Sequence, residues 1–228
     1  DTPPNIPQAT SSFDPENVKN YEVGIKSMMW DRRLRINADV FYMDYTNLQV
    51  QTPLAPGIYD IRNAASATIR GLEVENTTRL AGAIEAGGHV TWLDATYDQY
   101  VAVDLGGATS DVAGNRLNNA PEWAGRLWVA WTGSIGNAQR LTLIGDATAE
   151  STVYYTPFND GIQRQRSYGL LGVRAEYGPR NRRWSINAYV RNVTDTNYIM
   201  ATFGNSPAAF GGRPGAPRQV AIEFAARR

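Results

Sequence analysis

The sequence predicts an all-β protein, an antiparallel up-and-down β-barrel that crosses a membrane. Three observations point there. Apolar and polar residues alternate with a period of two along most of the 228 residues, as side chains do on an extended chain. The breaks between alternating segments are short and long in turn, which sorts all long loops to one end of the sheet, as in membrane barrels and not in Greek-key sandwiches. Aromatic residues, among them Tyr21, Trp30, Trp92, Trp123 and Trp184, fall toward segment ends, where amphipathic rings form belts at a membrane–water boundary.

The elements follow in order. From Asn17 to Met29, Tyr21, Val23 and Ile25 share one face and Asn20, Glu22, Gly24 and Lys26 the other. The turn WDRR precedes a segment in which Leu34, Ile36, Ala38, Val40 and Tyr42 oppose Arg35, Asn37 and Asp39. The long break QTPLAPGIYDIRNA leads to Leu72 and Val74 against Gly71, Glu73 and Glu75. After LAGA, Ile84, Ala86, Val90 and Trp92 oppose Glu85, His89 and Thr91. The break YVAVDLGGATSDVAGNRLNNAP is followed by Trp123, Leu127, Val129 and Trp131 against Glu122, Arg126 and Thr132. Beyond GSIGNAQ, Leu141, Leu143 and Ala147 oppose Arg140, Thr142, Asp146 and Glu150. A break around TPFNDGIQRQ separates these from Leu171 and Val173, which oppose Arg174 and Glu176. GPRNRR then turns into Trp184, Ile186, Ala188 and Val190 against Ser185, Asn187 and Arg191. Past TDTNYIMATFGNSPAAFGGRPG, the last strand sets Val220, Ile222 and Phe224 against Gln219 and Glu223. The short breaks are the polar, Gly- or Arg-containing turns that close hairpins.

About nine strands result. An odd number cannot close a bacterial single-chain barrel, and an open edge in lipid leaves backbone groups unsatisfied at several kcal/mol each. The chain is therefore expected to be part of a larger barrel.

Composition excludes several chemistries. The 22 basic and 22 acidic residues balance, which removes the basic patch that nucleic-acid binding needs. One histidine and no cysteine rule out Cys/His zinc sites, iron–sulfur clusters, thiol nucleophiles and disulfides. No run reaches the roughly 18 apolar residues of a transmembrane helix. The mean hydropathy of −0.39 fits a barrel that alternates lipid-facing and lumen-facing residues. His89 has the parity of Glu85 and Thr91, a lumen-facing position suited to a structural hydrogen bond, and nothing places a nucleophile beside it. No cofactor or metal site is expected, since the GGATS stretch between Asp104 and Asp111 lacks the spacing of a calcium loop.

Specific wording resembles a family. The run FDPENVKNYEVGIKSMMWDRRLRINADVFYMDYTNLQVQ is similar to a strand–turn–strand unit of TonB-dependent outer-membrane receptors. IRGLEVE, GNRLNNAPEW, NAYVRNVTDTNYI and GAPRQVAIEF follow in that family's order. The resemblance implies that residues 1–228 are the C-terminal part of a barrel of about 22 strands with a plugged lumen, without the N-terminal plug domain and TonB box. It implies a place in the cell outer membrane, with long loops extracellular and short turns periplasmic. The implied function is import of a scarce, bulky nutrient, most often a ferric siderophore, powered through TonB. No enzymatic activity is expected. The implied partners are outer-membrane lipid, the plug and remaining strands, TonB, the barrel-assembly machinery and a small-molecule ligand. A passive porin-like channel, a soluble all-β binding module and an outer-membrane enzyme are the other readings.

Ligand contacts are expected in the long loops, at Asp104, Asp111, Asn115 and Arg116 in one and Tyr198, Phe203, Phe210 and Arg213 in the last. Aromatic and Arg groups suit anionic chelates through stacking and charge-assisted hydrogen bonds; solvated loop residues and loop-to-loop braces are the other account of them. Lumenal carboxylates such as Glu73 and Glu75 are expected to pair with arginines of neighbouring strands or of the plug. In the family the last strand ends on an aromatic residue read by the assembly machinery, whereas here Phe224 is followed by AARR.

Overall fold

The computed structural model describes residues 12–55, 58–104, 106–206 and 209–226. Along the chain the strands are β1 (Asn17–Met29), β2 (Leu34–Ala55), β3 (Ile58–Ala81), β4 (Ile84–Val103), β5 (Thr109–Asp111), β6 (Trp123–Ile135) and β7 (Gln139–Glu150). Then come β8 (Val153–Tyr154), β9 (Arg164–Gln165), β10 (Tyr168–Pro179), β11 (Trp184–Arg191), β12 (Ile199–Ser206), β13 (Ala209–Pro214) and β14 (Gln219–Ala226). Among the described residues the main sheet runs β1-β2-β3-β4-β6-β7-β10-β11-β14, each strand beside its predecessor, with β5 added to β4. Every pairing is antiparallel. These are the nine strands the alternation predicts, and β1 and β14 are left as open edges.

The register lines up the apolar residues of different strands into continuous rows on one face. One row is Val23, Val40, Leu72, Trp92 and Trp123. Another is Val129, Gly145, Val173, Val190 and Val220, and a third Leu143, Ala175, Ala188 and Ile222. Most large members of these rows are open, with Val23 74%, Trp123 50% and Ile222 77% exposed. A continuous open apolar face of this extent marks a surface meant for a partner or a membrane. On β6 the outward Trp123 and Trp131 bracket Gly125, Leu127 and Val129. Eight residues at ~3.3 Å each separate the two rings by about 26 Å along the strand, so with barrel tilt they bracket an apolar band of about the height expected in such barrels.

The opposite face is polar and laced with ion pairs. Arg140 meets Glu176 at 2.6 Å, Arg174 donates to Asn187 at 2.7 Å, and Arg35 stands 3.6 Å from Glu75, which also accepts from Asn37. Arg126 and Asp146 are 3.6 Å apart. The expected pairing of Glu75 with a neighbouring-strand arginine is thus present. Glu73 instead stands directly opposite Asp39 in the register, and it has no ion pair to a described residue. His89 lies on this face between Glu75 and Arg126 in register; no hydrogen bond joins its ring to another described residue.

The strands continue further than the alternation suggests. QTPLAPGIYDIRNA, expected as a loop, is almost wholly hairpin, with β2 reaching Ala55 and β3 starting at Ile58. Trp92, expected near a segment end, lies inside β4 because that strand runs on to Val103. The final long break contains the β12–β13 hairpin. Two-period alternation fades in the first of these stretches because the covered face there carries polar Thr52 and Asp60 while Tyr59 and Ile61 stand exposed, so pairing persists without an amphipathic signal. The four short turns lie where expected, at 30–33, 82–83, 136–138 and 180–183. In the first, Trp30, Asp31 and Arg32 all have positive φ (52°, 52° and 66°), a rare conformation for side chains of this size.

Candidate functional site

The long-loop end is built rather than loose. β6 pairs with β4 only as far as Trp92. Past that point the free edge of β4 is covered by its own connection, which folds back as β5 and then as residues 114–117. Leu117 donates to Ala95 O at 3.0 Å, Tyr97 to Asn115 O at 2.9 Å and Gly114 to Tyr97 O at 2.7 Å. An uncovered edge this long would invite pairing with other chains. Beneath it lies the main buried cluster, Ala65, Tyr97, Tyr100, Ala102 and Val112, against which Leu48, Val50, Leu117 and Phe158 pack. Tyr97 and Tyr100 lie ring to ring at 5.2 Å. Burial, with Tyr100 alongside, pushes the Tyr97 phenol up to about 12, because burial penalises the charged phenolate.

Three connections are hydrogen-bonded into one unit. Asn159, at positive φ, accepts from Arg116 N at 2.8 Å through Oδ1 and donates Nδ2 to Arg116 O at 3.0 Å. Its side chain thus imitates a paired strand residue, a role Asn can take because it tolerates the left-handed region. Asn115 Nδ2 donates to Pro157 O at 2.8 Å and Asn119 N to Tyr154 O at 2.9 Å. The 151–167 connection in turn holds the last one. The Tyr155 hydroxyl donates to Ile199 O, Ile199 N to Gln165 Oε1 at 2.6 Å, and Thr202 Oγ1 to Gln163 Oε1 at 3.3 Å. Tyr198 stacks on Tyr168 at 4.8 Å, and Tyr168 OH donates to Glu150 on the polar face. Asn192, 6% exposed, clasps the last connection shut by donating to both Thr196 O and Ala216 O.

The predicted contact residues divide accordingly. Asp104 accepts from Gly106 and Ala108 N and shapes the β4–β5 turn, and Asp111 accepts from Ala113 N and shapes the bend that follows β5. Asn115 and Arg116 sit where two loops meet, and the Arg116 guanidinium donates to Leu93 O and lies 3.5 Å from Glu122. Tyr198 is carried to the polar-face side by its stack on Tyr168. Arg213 is exposed on β13. Phe203 and Phe210 belong to paired β12 and β13, and their side chains lie outside the described residues. Sequence reasoning missed Tyr155, Asn159, Tyr168 and Asn192. Tyr168 could have been found by extending the β7–β10 hairpin to Glu150; the others act through irregular backbone that leaves no period.

A single-layer antiparallel sheet with an open apolar face, an ion-paired polar face and ordered loops massed at one end has the make-up of a membrane β-barrel wall. The chain belongs to the TonB-dependent receptor family, whose β-barrel description, "TonB dependent receptor-like, beta-barrel", matches residues 1–193; members of this family are outer-membrane proteins. Among its relatives, the metal-pseudopaline receptor CntO of Pseudomonas aeruginosa is 23% identical over 95% of this chain and 28% of its own length. The ferrichrome outer membrane transporter/phage receptor of Escherichia coli is 25% identical over 91% and 26%. Of solved structures, the ferric yersiniabactin uptake receptor FyuA of Yersinia pestis superposes with a TM-score of 0.75 at 19% identity, covering 92% of this chain and 29% of that one. The siderophore receptor PiuA of Acinetobacter baumannii does so at 0.74 and 21%, covering 96% and 29%. The chain spans under a third of the length of these relatives.

Proposed function

We propose that this chain is the C-terminal barrel wall of an outer-membrane receptor that imports a ferric siderophore with energy delivered through TonB. The observation that carries the reading is the ordered, interlocked loop mass above a continuous lipid-type face, in a chain whose relatives include receptors for ferric and other metal chelates. Residues 1–228 form the C-terminal strands, and the plug domain and TonB box belong to the rest of the parent protein. The long loops face the exterior and the short turns the periplasm. Glu73 beside Asp39 offers the plug a carboxylate pair, which a plug arginine would neutralise. Ligand contacts draw on Asp104, Asp111, Asn115, Arg116, Tyr198, Phe203, Phe210 and Arg213, with Asn115 and Arg116 serving also to hold two loops together. The last strand, centred on Phe224, is read by the barrel-assembly machinery, with Arg227 and Arg228, which lie outside the described residues, beyond that signal.

The test is uptake of radiolabelled ferric siderophores by iron-starved cells carrying or lacking the parent gene, with and without TonB. Import that needs both supports the proposal. Uptake that persists without TonB, or no chelate whose uptake responds to the gene, overturns it. Removal of Arg227 and Arg228 should leave insertion unchanged; lost insertion would place the signal at the very end.

A further inference from the structure

The short-turn end carries a charge pattern that the import reading does not use. The turn between β1 and β2 holds Arg32 and Arg33, and the turn between β10 and β11 holds Arg180, Arg182 and Arg183. All five are exposed, and none forms an ion pair with a described residue; the Arg180 guanidinium donates to Ser134 Oγ. Opposing them are Asp31 in the first turn and, deeper on the polar face, Glu85, which stands in register with Arg79. Each arginine cluster adjoins a tryptophan. Trp30, 69% exposed, precedes the first cluster, and Trp184, edge-on to Tyr177, follows the second.

We propose that these two arginine–tryptophan turns form a collar that binds the phosphates of anionic phospholipid headgroups in the leaflet at the short-turn end. The assignment rests on the orientation given above, which makes that leaflet the periplasmic one. Two observations select lipid over a single acidic macromolecule. The clusters lie about six strand spacings apart, roughly 30 Å of arc at ~4.8 Å per strand, which suits many small anions placed around a rim. Each also sits beside a ring of the type that anchors at a membrane boundary, continuous with the apolar face marked by Trp131 and Ile186. Guanidinium groups bind phosphate oxygens bidentately, and juxtamembrane basic groups gain attraction from an anionic leaflet. The left-handed backbone at Trp30, Asp31, Arg32 and Arg182 fixes how the two turns are bent at this boundary.

The test uses the full-length parent receptor, purified and placed in nanodiscs of phosphatidylcholine with either phosphatidylglycerol or phosphatidylethanolamine, with native mass spectrometry reading the retained lipids. The receptor should retain phosphatidylglycerol preferentially, and added salt should weaken the preference. The Arg32→Gln/Arg33→Gln/Arg182→Gln/Arg183→Gln variant should lose about tenfold or more of it, the matching Arg→Lys variant should keep most of it, and Arg213→Gln at the other end should leave it unchanged. Absence of any preference in the unaltered receptor overturns the proposal even if the Gln variant fails to assemble. So does equal retention by a folded Gln variant, or loss of a co-purifying acidic protein while lipid retention stays the same. Labelling a cysteine placed at Asn137 with a membrane-impermeant reagent in intact cells tests the orientation separately: labelling there refutes the orientation, while the nanodisc result still stands for the leaflet at that end.

Discussion

At the scale of single residues, facing decides tolerance. Val129 and Ile186 lie on the open apolar face, 52% and 41% exposed in the isolated wall, whereas Thr142 lies on the polar face, its hydroxyl 3.1 Å from that of Thr132. Val129→Arg, within the band between Trp123 and Trp131, should cost about 2–4 kcal/mol and Ile186→Arg, two residues from Trp184 at the band's edge, about 1 kcal/mol, so both should reduce folded receptor in outer-membrane fractions, Val129→Arg the more strongly. Thr142→Arg should be mild, because Glu176 is its register partner. Heat-modifiable gel mobility of the three variants checks this, and equal behaviour would reverse the face assignment. Tyr97 gives a pH-dependent expectation. Its raised pKa means the neutral phenol is favoured in the fold, so the stability it adds is fully present below its ordinary value of 10.0 and is lost as pH rises toward about 12. Tyrosinate absorbance should show a late-ionising group that Tyr97→Phe removes; a titration unchanged by that substitution would contradict it.

At the scale of elements, what the sequence reveals depends on whether two environments meet across the sheet. Where lipid-type and polar faces oppose each other, as along Asn17–Met29 or Trp123–Ile135, side-chain period alone locates the strand and its facing. Where covered positions are polar and exposed ones apolar, as with Thr52 and Asp60 against Tyr59 and Ile61 in QTPLAPGIYDIRNA, the strands persist on backbone pairing and the period vanishes. The loop interlock was illegible for another reason. Asn159 and Arg116 are 43 residues apart, and their bond depends on irregular backbone on both sides. Of the predicted contact residues, Asn115 and Arg116 were identifiable as loop polar groups, but their attachment to Pro157 and Asn159 was not. Asn159→Ala should therefore loosen two connections at once. Limited proteolysis of the receptor in membranes should show faster cutting in both 104–122 and 151–167, and cutting confined to the second would refute a shared unit.

At the scale of the whole molecule, the wall has few side chains to bury. Its largest described cluster sits under the loops, not between layers, so the sheet depends on lipid outside and on whatever fills the space within. Expressed alone, residues 1–228 should misassemble, because the edges of β1 and β14 lack partners and unpaired backbone in lipid costs several kcal/mol per group. Recovery of a heat-modifiable, protease-resistant species from this segment alone would show that expectation to be wrong. The interlocked loops have a bearing on how such a wall acquires its alignment. A slip of one residue between two strands throws every side chain to the wrong face and is rejected by the surroundings. A slip of two keeps the faces correct and passes unnoticed. It would nonetheless carry Asn159 about 7 Å along the strand direction, out of reach of Arg116. The clasp between distant connections thus proofreads the very error that amphipathicity cannot detect.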